Sequence, residues 1–96
     1  MKVYLTVILK AKEGNSAALK SALQNMVLHS RKEKACLQYD LFQASDDENT
    51  FTFQEIWENQ MALDLHDEQP YIKEFREKHL SLTDGNNLFY KNNKIA

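Results

Sequence analysis

The chain of 96 residues contains one cysteine, one proline and two glycines, and it has no excess of positive charge and no long apolar run. Each scarcity removes a class of protein. A single thiol, Cys36, has no partner for an intrachain disulfide; flanked by Ala35 and Leu37 it reads as a buried thiol in a reducing compartment, so a cytoplasmic location is expected. Twelve Lys and Arg against 14 Asp and Glu give a net charge of −2, with the lysines scattered among acids. No basic face exists to release counterions from a nucleic acid, and nucleic acid is not an expected partner. No stretch approaches the roughly 18 apolar residues of a membrane span. The opening MKVYLTVILKAKEG resembles a signal peptide only superficially: Thr6 interrupts its short apolar run, and no small-residue cleavage site precedes Lys10 and Lys12. A soluble, unprocessed chain without membrane contact is expected.

Chemical signatures are also missing. There is no GxGxxG, phosphate loop or Ser nucleophile elbow, and no HxxxH, HExxH or CxxC spacing. The three histidines fall on separate predicted elements. No metal and no bound cofactor are expected.

What is present is a 43% hydrophobic, 27% charged composition, ordinary for a globular domain and unlike disordered or collagen-like chains. No repeat, low-complexity segment or linker divides it, so residues 1–96 read as one domain. A chain of this size buries only about 60–65% of its unfolded surface, which makes a lone monomer marginal.

Periodicity alternates between two and 3.6. Val3 to Leu9 alternates with apolar residues on both faces and predicts a strand buried on both sides. After Gly14-Asn15, the residues Leu19, Leu23, Met26, Val27 and Ser30 recur at helical spacing behind an Asn15 or Ser16 cap, predicting a helix to about Lys32. Cys36 to Gln43 alternates again, with Leu37, Tyr39 and Leu41 on one face and Gln38, Asp40 and Phe42 on the other. The polar run Ala44 to Asn49 predicts a loop between antiparallel strands, the second being Thr50 to Glu58. Asn59 caps a short helix through His66, and Pro70 suits the first position of another, where its missing N–H costs nothing. Ile72, Phe75, His79 and Leu82 continue that helix until Asp84-Gly85, and Leu88-Phe89-Tyr90 predicts a fourth strand.

The order β-α-β-β-α-β is the split βαβ, an α+β ferredoxin-like fold with helices on one face of a four-stranded antiparallel sheet. The uncovered face would carry Tyr4, Ile8, Phe42, Ile56 and Phe89, too apolar to leave in water. A homodimer packed sheet against sheet is expected.

The segment FTFQEIWENQMALDLH concentrates the chemistry. Strand parity puts Phe51, Phe53, Glu55 and Trp57 on one face. A carboxylate among aromatics loses hydration and tends toward a raised pKa, which suits a proton carrier or a hydrogen-bonded structural anchor. Trp57 reads as core or as a donor to a substrate oxygen. His66 stands at the edge of a helical apolar stripe, either a boundary residue or a general base, with Asp67 and Glu68 beside it to hold its proton. Tyr39 shares a face with Leu41 and is placed to meet Glu55 across the strand pair, and Tyr71 and Phe75 would form an aromatic wall. His79 and His29 read as structural, His29 favoured by the helix C-terminus.

The run CLQYDLFQ, the acidic turn and FTFQEIWENQMALDLH together resemble the antibiotic biosynthesis monooxygenase-like domain, with its C-L-x-Y strand, E-x-W strand end and His on the next helix. The resemblance covers nearly the whole chain. It implies a dimeric α+β barrel with a pocket between helices and sheet, lined by Tyr39, Glu55, Trp57 and His66. Members include cofactor-independent oxygenases of quinols and phenols, enzymes acting on phosphorylated signal sugars, and haem-degrading relatives. Lys34-Ala35 stands where many relatives have Pro-Gly. No Asn lies on the first strand, where the haem-degrading relatives use one.

Three functions are open on these residues. The first is a cofactor-free monooxygenase of a small quinol or phenol, with catalytic His66, Glu55 and Trp57 and substrate-binding Tyr39, Phe53, Tyr71 and Phe75. The second is an isomerase or lyase of a small sugar-like metabolite, whose phosphate would need anchors such as Arg31, Lys32 or Lys34. The third is a non-catalytic dimer that binds a small molecule.

Overall fold

A computed structural model describes all 96 residues, Met1–Ala96. Four strands and three helices follow in the order β1 (Val3–Lys10), α1 (Ser16–Ser30), β2 (Cys36–Gln43), β3 (Thr50–Trp57), α2 (Gln60–Asp67), α3 (Pro70–Lys78) and β4 (Leu88–Asn92), with a 3₁₀ turn at Leu80–Leu82. All strand pairs are antiparallel and the sheet order is β2-β3-β1-β4, the ferredoxin-like arrangement. No helix is long and apolar enough to cross a membrane.

The two-residue period of the strands decides which side chains form the core. Leu5, Val7 and Leu9 of β1 and Phe51, Phe53, Glu55 and Trp57 of β3 all face the helices and are buried. Leu19 and Leu23 of α1, fully buried, close over them with Met26 and Val27. Ile72 and Phe75 of α3 complete the layer. The reverse face of β1, with Tyr4, Thr6 and Ile8, is only half-buried, so β1 is covered on one side in the single chain rather than on both.

Registration corrects the expected outer face. Phe89 pairs with Val7, whose side chain faces the helices, so Phe89 turns inward; Leu88 and Tyr90, paired with Ile8 and Thr6, turn outward. The open face thus carries Tyr4, Ile8, Phe42, Ile56, Leu88 and Tyr90 around a polar centre. In that centre Asn92 Nδ2 donates to Thr6 Oγ1, and Thr6 Oγ1 donates to Gln54 Oε1, each at 2.9 Å. Leu37 also departs from simple alternation. A β-bulge between Cys36 and Gln38 makes Leu37 the extra residue, leaving it exposed instead of beside Tyr39.

The helix limits follow local chemistry. Helix α1 stops at Ser30, short of Lys32, and Asn15 takes the cap position without a side-chain hydrogen bond. Helix α3 begins at Pro70 and ends at Lys78, earlier than the Asp84-Gly85 break, because the chain tightens into the 3₁₀ turn. Cys36 is half-buried rather than buried; burial, with Glu55 and Glu33 nearby, pushes its thiol up to about 11.

Helix α2 has eight residues, too few to be stable without help, and Asn59 Oδ1 accepts from Ala62 N at 2.8 Å to satisfy its first turn. Asn59→Ala should therefore lower the unfolding free energy by about 1 kcal/mol in urea titrations, with no change in the denaturant slope.

Candidate active site

Two residues apart on β3, Glu55 and Trp57 point the same way, and both are buried. The Trp57 indole N–H donates to Glu55 Oε1 at 2.9 Å, so its donor is engaged by the protein itself. Tyr39 of β2 stands opposite Glu55 in register, as strand parity anticipates. Its ring packs on Phe53 with centroids 5.0 Å apart and meets the His66 ring edge-on at 5.7 Å.

Helix α2 carries His66 into this aromatic corner, where its imidazole lies 4.4 Å from the Trp57 ring. His66 is only 4% exposed, and its Nδ1 lies 2.6 Å from Glu33 Oε2. A carboxylate only accepts, so Nδ1 carries the proton. Tyr71 on α3 donates to the same Glu33 oxygen and, 2.9 Å away, its hydroxyl meets buried Ser30 Oγ. The donors therefore run from Ser30 to Tyr71 to Glu33, with His66 donating to Glu33 from the other side. His66 Nε2 has no partner within the chain.

Glu33 replaces the acids expected to hold the His66 proton. Asp67 instead contacts Arg76 at 3.4 Å, and Glu68 pairs with Lys73 at 2.9 Å. Nothing local singles Glu33 out: it lies in the charged run Arg31-Lys32-Glu33-Lys34, which reads as solvated surface.

A cavity of about 420 Å³ opens between the sheet and the helices. Its walls are mostly apolar, with Leu5, Val7 and Phe53 from the sheet and Met26, Ile72 and Phe75 from the helices. Tyr39, Glu55 and His66 form its polar end. Of the seven residues assigned to the site from sequence, Tyr39, Phe53, Glu55, His66 and Phe75 line this cavity. Trp57 and Tyr71 do not: Trp57 stands behind Glu55 and His66, and Tyr71 stacks on His29 at 5.0 Å between its bonds to Ser30 and Glu33. His79 packs against Phe75 with ring centroids 6.1 Å apart. No group of three or more His, Cys, Asp or Glu side chains is placed to hold a metal ion.

Burial pushes the Glu55 carboxyl up to about 7. The Trp57 hydrogen bond works against that rise, and the charges of Asp67 and Glu33 add to it. Burial, then the Glu55 charge, holds the Tyr39 hydroxyl well above the usual phenol range. Tyr71 is raised by burial and then by its bond to Glu33. The polar end thus holds a carboxyl that titrates near neutrality and an oriented imidazole, a pair suited to moving protons at a bound ligand.

The sequence pattern of the antibiotic biosynthesis monooxygenase family matches residues 3–78. The chain belongs to this family. Among family-like proteins, the Bacillus subtilis protein named "Putative monooxygenase YcnE" is 34% identical over 73 residues, covering 76% of this chain and 77% of that one. The Synechocystis protein sll1783 is 40% identical over 55 residues, covering 57% of this chain and only 37% of the longer relative. The crystal structure of PA3566 from Pseudomonas aeruginosa superposes with a TM-score of 0.93 at 29% identity, covering 99% and 95% of the two chains. PA3566 therefore shares the four-stranded sheet with its helices on one side that this chain has.

The raised Glu55 carboxyl has a stability consequence with a definite sign. A folded-state value near 7 against 4.5 for a free carboxyl means that the native state binds more protons than the unfolded state between those pH values. Stability is then lost as pH rises through that window. Glu55→Gln keeps an acceptor for Trp57 and removes the ionisation. Relative to wild type it should gain about 2–4 kcal/mol between pH 5 and pH 8 in denaturant titrations, whereas a pH-independent difference would refute the buried ionisation.

Proposed function

We propose that this chain is a monooxygenase that acts on a small electron-rich phenol or quinol, with His66 as its base and no resident cofactor. The observation that carries this reading is that His66 lines the cavity while its Nδ1 is tied to Glu33, which leaves Nε2 without a partner in the chain. An imidazole protonated at Nδ1 has its basic lone pair on Nε2, and a carboxylate behind it stabilises the imidazolium that forms on accepting a proton. Removal of a phenolic proton produces an electron-rich phenolate, which can donate to molecular oxygen. For a hydroquinone, one oxygen atom enters the ring and the other leaves as water, giving a hydroxyquinone; the substrate supplies the electrons and the hydrogens of that water. Glu55, titrating near neutrality in the same cavity, suits the return of a proton to the departing oxygen. Trp57 acts through Glu55, and Tyr71 through Glu33, each as a positioning residue.

The Glu55 and His66 pair also favours a second reading, proton transfer beside a carbonyl in an isomerase or lyase. Oxygen dependence separates the two. With a panel of hydroquinones, wild type should consume oxygen, His66→Ala should fall at least ten-fold, and Glu33→Gln should fall less. Turnover that persists without oxygen, or a His66→Ala rate equal to wild type, contradicts the oxygenase reading.

The open face of the sheet supports a homodimer as the working unit. Phe42, Leu88 and Tyr90 are 56%, 45% and 50% exposed there, and a second copy of the same face is a self-complementary cover. Light scattering at micromolar concentration should give twice the chain mass. Phe42→Lys combined with Leu88→Lys should give the single mass.

A further inference from the structure

The rim of the cavity differs in character from its floor. Arg76 of α3 and Lys91 of β4 both line it, and both are exposed. The expected cationic anchors do not: Arg31 is held by Tyr39 O and Asp40 Oδ1, each at 3.0 Å, and neither Lys32 nor Lys34 lines the cavity. Lys91 Nζ donates to the neutral Gln60 carboxamide at 2.9 Å and has no carboxylate partner. Arg76 donates to Asp67, which also lines the cavity, at its backbone carbonyl (3.3 Å) and at Oδ1 (3.4 Å); both side chains are about half exposed, so the ion pair costs little to exchange. Asn87 lines the same cavity, and its Oδ1 is buried without a hydrogen-bond partner while its Nδ2 leans on Thr83 Oγ1 at 3.5 Å.

Sheet registration relates this rim to the catalytic end. Lys91 pairs with Leu5, Leu5 with Glu55, and Glu55 with Tyr39, so the four form one rung across the helix-facing side of the sheet. Lys91 and Glu55 are two strands apart, about 10 Å between their backbones. Apolar Leu5 lies between them. A ligand that places a hydroxyl near Glu55 and His66 and lays its apolar body over Leu5 ends beside Lys91.

We infer that the cavity selects phenolic ligands bearing an anionic substituent at the end opposite the reacting hydroxyl, bound by Lys91 and Arg76, with Asn87 Oδ1 accepting from a ligand hydroxyl. This rests on the reading of the cavity as the ligand site and not on the oxygen chemistry. An unpaired ammonium at the edge of an apolar cavity attracts an anion more strongly than it would in open water, and the preference weakens with salt.

Calorimetric titration of the intact protein with catechol and with 3,4-dihydroxybenzoate, whose carboxylate lies opposite a hydroxyl, tests this. Wild type should bind the carboxylate at least ten-fold more tightly in low salt, with the ratio falling several-fold in 0.5 M salt, on the order of the screening expected there. In the Arg76→Gln, Lys91→Gln double variant the ratio should fall to about two or less, and Asn87→Leu should weaken the carboxylate ligand further. Equal wild-type affinities, or a ratio that survives in the double variant, overturn the proposal. Because no turnover is needed, oxygen uptake can fail while the selectivity stands, which would overturn only the oxygenase reading; binding of neither ligand overturns both.

Discussion

The short bond between the Glu33 carboxylate and the His66 imidazole joins parts of the chain that share no local structure. Glu33 lies in the turn after α1, His66 near the end of α2, and Tyr71, which donates to the same carboxylate, in the first turn of α3. The bond therefore fixes how the short helices sit over the sheet as well as which His66 nitrogen is free. Its members are largely withdrawn from water, where a half-satisfied polar network costs more than an apolar core. Ser30, fully buried at the last position of α1, extends the network, so the end of one helix is coupled to the start of another through hydroxyl groups.

A second constraint works in the opposite direction. Packing Glu55 among Phe53, Tyr39 and Trp57 desolvates it, and the single indole donor offsets only part of that loss. The fold tolerates an acid that weakens it progressively as pH rises from 4.5 to about 7, beside a cavity where a carboxyl ionising near pH 7 is chemically useful. The two acids differ in consequence because their partners differ: Glu33 is met by two donors at the margin of the core, whereas Glu55 has one donor deep within it.

The sequence was informative where a rule acts locally. Period-two alternation bounded β2 at Cys36 and Gln43, placed Glu55 and Trp57 on one face and brought Tyr39 opposite Glu55. Pro70 marked the start of α3, and Asn59 marked that of α2. Alternation misled at Leu37, because a bulge shifts parity without leaving a compositional mark. Phe89 went to the wrong face because a short isolated strand has no internal evidence of register; only its pairing with Val7 decides it. Glu33, Arg76 and Lys91 were invisible as site residues for a related reason. Each is a charged residue in a polar stretch, and what distinguishes it is a partner or neighbour far away in the chain.

The candidate site depends most on the imidazole of His66 being held in one tautomer by Glu33. Nitrogen-15 NMR of the His66 ring measures that state directly. The prediction is a ring that carries its proton at Nδ1, with Nε2 the nitrogen whose signal shifts when a phenol occupies the cavity, and with the Nδ1 preference reduced in Glu33→Gln. A ring protonated at Nε2, or one indifferent to the loss of the Glu33 charge, would contradict the account.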